Sequence, residues 1–94
     1  MYLHLGNDVV VRKVDVIGIF DLDNTSQSAL TRRYLAAAEK DGRVVNAAGL
    51  ELPKSFVVCT DGERQTVYLS QLNSSTLLKR SESELLSLGT DTLN

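Results

Sequence analysis

The stretch Ser55–Ser70, SFVVCTDGERQTVYLS, decides the fold of this chain. It contains two runs rich in β-branched and aromatic residues, at 55–60 and 66–70, which are typical of strands. Between them lies Asp61-Gly62, a dipeptide that favours a tight turn between antiparallel strands. The stretch therefore predicts a β-hairpin and, with it, an antiparallel sheet.

The sequence before this hairpin predicts further strands. Val14–Phe20 is almost continuously apolar, which predicts a central strand covered on both faces. Gly18 within it is expected to mark the close approach of another backbone. Three shorter strands are predicted at residues 2–5, 9–11 and 44–45, with a tight turn at Gly6-Asn7 between the first two.

One main helix is predicted from about Ser26 to Asp41, and Gly42 is placed to end it in a left-handed conformation. Asn73 or Ser74 is a candidate cap for a short C-terminal helix that runs through Arg80. The predicted fold class is therefore α+β, a mostly antiparallel sheet with one main α-helix and a short C-terminal helix. The apolar face of the main helix is expected to contain Leu30, Tyr34, Ala37 and Ala38.

Length and charge limit the possible functions. The 94 residues are enough for one domain, which is predicted at 1–80, and the acidic, Ser-rich residues 81–94 are predicted to be a flexible tail. The net charge of −2 argues against a generic polyanion binder. Without the tail, however, the chain has ten basic and nine acidic residues, which leaves room for a local basic patch.

Several other functions are disfavoured by composition. No apolar run approaches the roughly 20 residues that a membrane-spanning helix needs, and the expected location is the cytoplasm. Cys59 is the single cysteine, which excludes an internal disulfide, and its strand-like surroundings favour a small buried apolar residue over a reactive thiol. His4 is the only histidine, which excludes a histidine-based metal cluster, and no cofactor is expected.

The segment Ile19–Thr25, IFDLDNT, resembles the first motif of haloacid-dehalogenase-type phosphotransferases. There the first carboxylate, here Asp21, is the phosphate-accepting nucleophile, and the second, here Asp23, is the general acid/base. The rest of that machinery is missing, because one substantial helix cannot build a doubly wound parallel sheet. The favoured interpretation is that both are strand-end and turn residues that precede a helix. The chain is then not an enzyme and has no small-molecule substrate.

Basic side chains provide the more informative candidates. A guanidinium suits phosphate because its planar fork binds two oxygens. One subunit offers few phosphate contacts, whereas an oligomer repeats them and gains affinity by multivalency. Because the helix must lie on the sheet, the candidate DNA-binding residues could line one surface. They are Arg12, Lys13, Arg32, Arg33 and Lys54.

Ordered segments over roughly residues 2–80 also carry a family resemblance. They are Tyr2–Gly6, Asp8–Val11, the helical stretch 32–35 with 37–47 after it, Phe56–Val58 and Val67–Ser70. Together they resemble the RemA/RemB family, and its RemB branch in particular. This resemblance implies a cytoplasmic, DNA-binding transcription regulator of biofilm extracellular-matrix genes. It also implies a subunit like a LytTR-type DNA-binding domain, and a ring-like homo-oligomer that presents basic residues to duplex DNA.

Three residues depart from the pattern of RemA-type members. Asp15 stands where they place an arginine at the start of the third strand, and Glu51 and Leu52 stand in place of an arginine pair in a later loop. Arg12 and Lys13 could compensate for Asp15. Two main hypotheses therefore stay open: a DNA-binding homo-oligomeric regulator, and an oligomeric protein-interaction module without direct DNA binding. A haloacid-dehalogenase-like phosphotransferase acting through Asp21 and Asp23 is the third alternative.

Overall fold

The structure, a computed structural model, describes residues 1–22 and 29–82. Six strands and two helices succeed one another along the described chain. They are β1 (Tyr2–Gly6), β2 (Val9–Arg12), β3 (Val16–Asp21), α1 (Ala29–Lys40), β4 (Val44–Asn46), β5 (Ser55–Thr60), β6 (Gln65–Ser70) and α2 (74–82), with a 3-10 turn at Lys13–Asp15.

The predicted hairpin forms the middle of a four-stranded sheet whose order is β3-β5-β6-β4. Strand β5 runs antiparallel to both of its neighbours, β3 and β6, whereas β4 runs parallel to β6 because α1 carries the chain back between β3 and β4. Strands β1 and β2 pair separately as an antiparallel hairpin. The predicted α+β class with mainly antiparallel strands is therefore confirmed.

Strand β5 is buried on both faces because its alternate side chains enter two different cores. On one face, Phe56 and Val58 pack with Ala38 of α1. On the other face, Val57 and Cys59 belong to a core that the β1–β2 hairpin and α2 complete, with Leu3, Leu5, Val11 and Leu77. The described molecule thus has three layers: α1, the four-stranded sheet, and the β1–β2 hairpin with α2.

Strand β3 was predicted to be central, and this prediction is wrong. It lies at the edge of the sheet, begins two residues later than predicted, and leaves Ile17 and Phe20 about half exposed. Val16 and Ile19 pack against the core on the hairpin side of the sheet, whereas Ile17 and Phe20 line an open groove on the other side. Gly18 makes room for a side chain, not for a backbone, since a Cβ atom there would lie 2.7 Å from the ring of Phe20. That ring stacks on Phe56 with 4.9 Å between centroids.

The turn of the first hairpin lies one residue later than predicted. Asn7 and Asp8 both have positive φ, at 46° and 63°, as a type I′ turn requires. Gly42 ends α1 with φ 71°, which confirms the predicted left-handed stop. Asn73 caps α2 as predicted, because its Oδ1 accepts a hydrogen bond of 2.8 Å from the backbone N–H of Thr76.

The predicted apolar face of α1 is only partly correct. Ala38 is fully buried, and Tyr34 packs partly buried beside it. Leu30 and Ala37 are exposed, because the buried side of α1 is centred on Ala38 and also includes Leu35. The predicted start of the helix at residue 26 lies outside the described residues. Within the described ranges, neither helix is long and apolar enough to cross a membrane.

Candidate nucleic-acid interface

Two adjacent arginines, Arg32 and Arg33, lie on the solvent side of α1. Both are exposed because the face that packs on the sheet is centred on Ala38. Neither guanidinium forms an ion pair within the residues that the structure describes. Their charges are therefore open to an external anion.

Arg12, at the end of β2, is placed differently. The 3-10 turn that follows β2 brings the Asp15 carboxylate within 3.9 Å of the Arg12 guanidinium. The pair is partly exposed, so water and salt weaken it, and its contribution to stability is about 0–1 kcal/mol. The Arg12–Asp15 pair matters mainly for local charge. The Asp15 carboxylate offsets the positive charge of Arg12, which is one of the predicted DNA-binding residues.

Lys13 links the hairpin layer to α2. Its Nζ donates a hydrogen bond of 2.6 Å to the backbone carbonyl of Ser81, which draws Lys13 away from open solvent. The same contact brings the exposed Lys79 and Arg80 of α2 into the neighbourhood of Lys13. These two residues were missed by sequence reasoning, although the basic pair beside the buried Leu77 was a visible signal.

Lys54 stands at one end of the sheet, immediately before β5. Its backbone is held on both sides: its N–H donates to Ser70 O, and its carbonyl accepts from the N–H of Leu22, each at 2.8 Å. Its side chain is exposed. The exposed Lys54 side chain is therefore attached to a backbone segment that hydrogen bonds hold on both sides.

One subunit does not collect the five predicted cations on one surface. Arg32 and Arg33 lie in the α1 layer, whereas Arg12 and Lys13 lie in the hairpin layer on the opposite side of the sheet. Lys54 is at the sheet end between them. A continuous basic strip would therefore have to draw on more than one subunit, and the role of these residues in DNA binding stays a prediction.

A cleft of about 300 Å³ lies beside the Arg12–Asp15 pair and is lined also by Cys59, Asp61 and Tyr68. Burial, and then the nearby Asp15 carboxylate, raise the pKa of Cys59 to about 11, so the thiol is protonated at neutral pH and is a poor nucleophile. Burial also raises the pKa of Tyr68. The prediction that Cys59 is a small buried residue is confirmed.

The other carboxylate of this cleft is fixed by a turn. Backbone N–H groups of Arg64 and Glu63 donate to Asp61 Oδ1 at 2.9 Å each and lower the pKa of Asp61. Its carboxylate thus stabilises the β5–β6 connection. This structural role explains the lowered pKa of Asp61, and no catalytic role in the cleft is needed to explain it.

The phosphotransferase motif does not have its required scaffold. Asp21 ends the edge strand β3 of a mainly antiparallel sheet, not a central strand of a doubly wound parallel sheet. Asp23 lies outside the described residues. Within residues 1–22 and 29–82, no three His, Cys, Asp or Glu side chains group to hold a metal ion. His4 is exposed on β1.

Comparison with known proteins shows which family this chain resembles. A family model described as RemA-like, extracellular matrix regulatory protein A-like, matches residues 2–80. The chain belongs to this RemA-like family. It is also 40% identical over 82 residues to extracellular matrix regulatory protein B of Bacillus subtilis (strain 168), across 87% of this chain and 91% of that protein. All five predicted DNA-binding residues of this RemA-like chain fall inside the matched range.

Proposed function

We propose that this chain is a homo-oligomeric, DNA-binding transcription regulator of biofilm extracellular-matrix genes, acting in the cytoplasm. The observation that carries the proposal is the RemA-like match over residues 2–80, together with a relative named as an extracellular matrix regulatory protein. Both names describe a regulatory protein and neither describes an enzyme. The inert thiol of Cys59 and the missing phosphotransferase scaffold agree with that reading.

The exposed arginines of α1 support duplex DNA as the partner. Arg32 and Arg33 together offer two or so phosphate contacts per subunit, which is too few for firm binding by one subunit alone. Three or four subunits on one duplex would supply about 6–8 contacts. That number is associated with a loss of about 10³–10⁵ in affinity between 50 and 200 mM salt. A ring-like homo-oligomer therefore suits a subunit with sparse basic residues.

A second candidate function is an oligomeric protein-interaction module without direct DNA contact. The observation that favours it is local charge: Asp15 offsets Arg12, and Glu51 is exposed in the loop where RemA-type members carry arginines. In that case the subunits would still assemble, and a protein partner would supply the contact with DNA.

Fluorescence anisotropy with labelled duplex DNA at two salt concentrations separates these functions. We expect the wild-type protein to bind with a steep salt dependence, and Arg32→Ala to weaken binding and flatten that dependence. Arg64→Ala is the matched control, since it removes the same charge from an exposed loop position. The solution mass of each variant is measured in parallel without DNA. Undetectable or salt-insensitive binding by an intact oligomer would favour the protein-interaction module.

A further inference from the structure

Strand β2 has one edge without a partner strand in the part of the chain that the structure describes. It pairs with β1 on one side only, and these two strands form a sheet of their own. On the other side, the backbone groups of Val9–Arg12 bond to no described strand. A free strand edge is a template with which an extended segment of another chain can pair.

The cleft of about 300 Å³ beside the Arg12–Asp15 pair, called here the β2 slot, runs along this free edge. Three residues of β2 line it and no residue of β1 does, so the slot lies on the side of β2 away from β1. Val10 and Val11 point to opposite faces of the hairpin, and lining by both places the slot along the strand edge. The full lining is Val10, Val11, Arg12, Asp15, Cys59, Thr60, Asp61, Thr66 and Tyr68.

The slot is open because the hairpin layer is narrower than the sheet that it covers. The layer has two strands and α2, whereas the sheet beneath it has four strands. Thr66 and Tyr68 of β6 face this side of the sheet and are only half-buried. Within residues 1–22 and 29–82, the phenol O–H of Tyr68 forms no hydrogen bond. A third strand beside β2 would lie over these side chains and complete the layer.

The charge of the β2 slot indicates which chemistry fits it. One basic and two acidic side chains line the slot, which gives it a net charge of −1. Burial is the main cause of the raised pKa values of Cys59 and Tyr68, and the Asp15 carboxylate adds to both. Its negative charge therefore acts on the floor of the slot. A basic side chain is favoured there, whereas residues 83–94 of this chain, with two acids and no base, are disfavoured.

We propose that an extended segment of a partner protein, carrying a lysine or arginine, docks in the β2 slot as a third strand of the hairpin layer. Its main chain pairs with the free edge of β2 over four residues, or about 13 Å. Alternate side chains pack on Thr66 and Tyr68, and the basic side chain contacts Asp15 or Asp61. Main-chain hydrogen bonds supply affinity in such docking, and side chains supply specificity. The inference goes beyond the proposed function, because this docking needs no DNA.

Fluorescence anisotropy of the full chain with a labelled octapeptide of alternating valine and lysine, blocked at both ends, tests the inference. We expect saturable binding of this peptide. Replacing its lysines by glutamates should weaken binding at least about tenfold, because the charges then repel. Undetectable binding of the lysine peptide, or equal binding of both peptides, would overturn the inference.

N-methylated peptides show whether the main chain pairs as a strand. A strand directs the N–H groups of alternate residues to opposite edges, and only one edge can pair with β2. Each lost hydrogen bond weakens binding by about 2- to 12-fold. Methylating two N–H groups on one edge should therefore cost at least about fivefold, and methylating the other edge less than about twofold. Equal effects of the two isomers would contradict strand addition.

Substitutions in the protein locate the docked peptide. Thr66→Trp should fill the slot and abolish binding, whereas Glu63→Trp, at an exposed position outside the lining, should keep it. Asp15→Asn should reduce the preference for lysine over glutamate by about two- to fivefold, and Glu63→Gln should leave that preference unchanged. Circular dichroism checks the fold of each variant. Wild-type binding by folded Thr66→Trp would refute docking in the slot.

Amide hydrogen exchange of the wild-type protein keeps the test decisive if Thr66→Trp does not fold. The lysine peptide should slow exchange of the outward N–H groups of β2 and leave α1 unchanged; slowing confined to α1 would refute the site. Loss of oligomer mass on adding the peptide would assign the slot to a second copy instead. Arg32→Ala should bind the peptide as the wild type does, so failure of DNA binding and failure of peptide docking are separate results.

Discussion

Replacing Asp15 by Asn should strengthen DNA binding, because Asp15 now offsets the nearest cation. Arg12 and Asp15 are 3.9 Å apart at their closest charged atoms, with the side chains 64% and 34% exposed. A pair this exposed contributes no more than about 1 kcal/mol to folding, so the variant should remain stable. The replacement frees the guanidinium of Arg12 for phosphate.

The size of the effect follows from counterion release. Each added phosphate contact steepens the slope of log affinity against log salt by about 0.9. For a fourfold rise in salt, the Asp15→Asn protein should therefore lose about threefold more affinity than the wild type for every subunit that touches the duplex. At low salt the variant should bind more tightly.

Anisotropy titrations of a labelled duplex at 50 and 200 mM salt, about the range for which that slope is known, measure both quantities. Glu63→Gln is the matched control, since it removes the same negative charge from an exposed position in the β5–β6 connection. If Glu63→Gln strengthens binding as much as Asp15→Asn, net charge accounts for the result and the local argument is refuted. Unchanged affinity in Asp15→Asn would equally refute it.

Four further predictions concern the fold around the site. Ser70→Ala should lower the free energy of unfolding by about 1–3 kcal/mol in urea titrations, because the buried Ser70 Oγ donates 2.6 Å to Leu5 O; a cost near zero would mean that water replaces this bond. Asn73→Ala should cost about 0.5–2 kcal/mol through loss of the cap on Thr76 N, measured in the same way, and Asn73→Asp should restore most of it. Since the pKa of Cys59 is raised from 9.0 to about 11, alkylation of the folded protein at pH 8 should be at least about 100-fold slower than in denaturant. For the same reason, stability should be lost as the pH rises from about 9 towards 11 and retained below that range. Cys59→Ala should show a smaller loss, and the part that remains comes from Tyr68, whose pKa is also raised from 10.0.

Local features of the fold were predictable where a short segment contains its own physical cause. The Asp61-Gly62 turn, the stop at Gly42 and the cap at Asn73 depend on residues within a few positions of one another. The order of strands does not. An apolar run such as Val14–Phe20 has the same sequence pattern in a central strand and in an edge strand that borders a groove. The pattern shows which residues are apolar, but it does not show which other elements cover them.

The candidate site was predictable only as a set of residue types. Arg32 and Arg33 were identified as candidates from sequence, but Lys79 and Arg80 were not, since their proximity to Lys13 depends on α2 folding back onto the hairpin layer. The offset of Arg12 by Asp15 required the 3-10 turn between β2 and β3. Such contacts join separate elements and leave no periodic signal.

The sequence by itself determined the α+β class, the central hairpin and the family to which the chain belongs, because these follow from local propensity and from the order of residues. Only the tertiary structure decided that β3 lies at an edge, that the predicted cations divide between two layers, and that Leu50 and Leu52 stand in water while Leu30 lines an open groove. The physical reason is that exposure depends on every layer packed against a residue, and residues distant in sequence supply those layers.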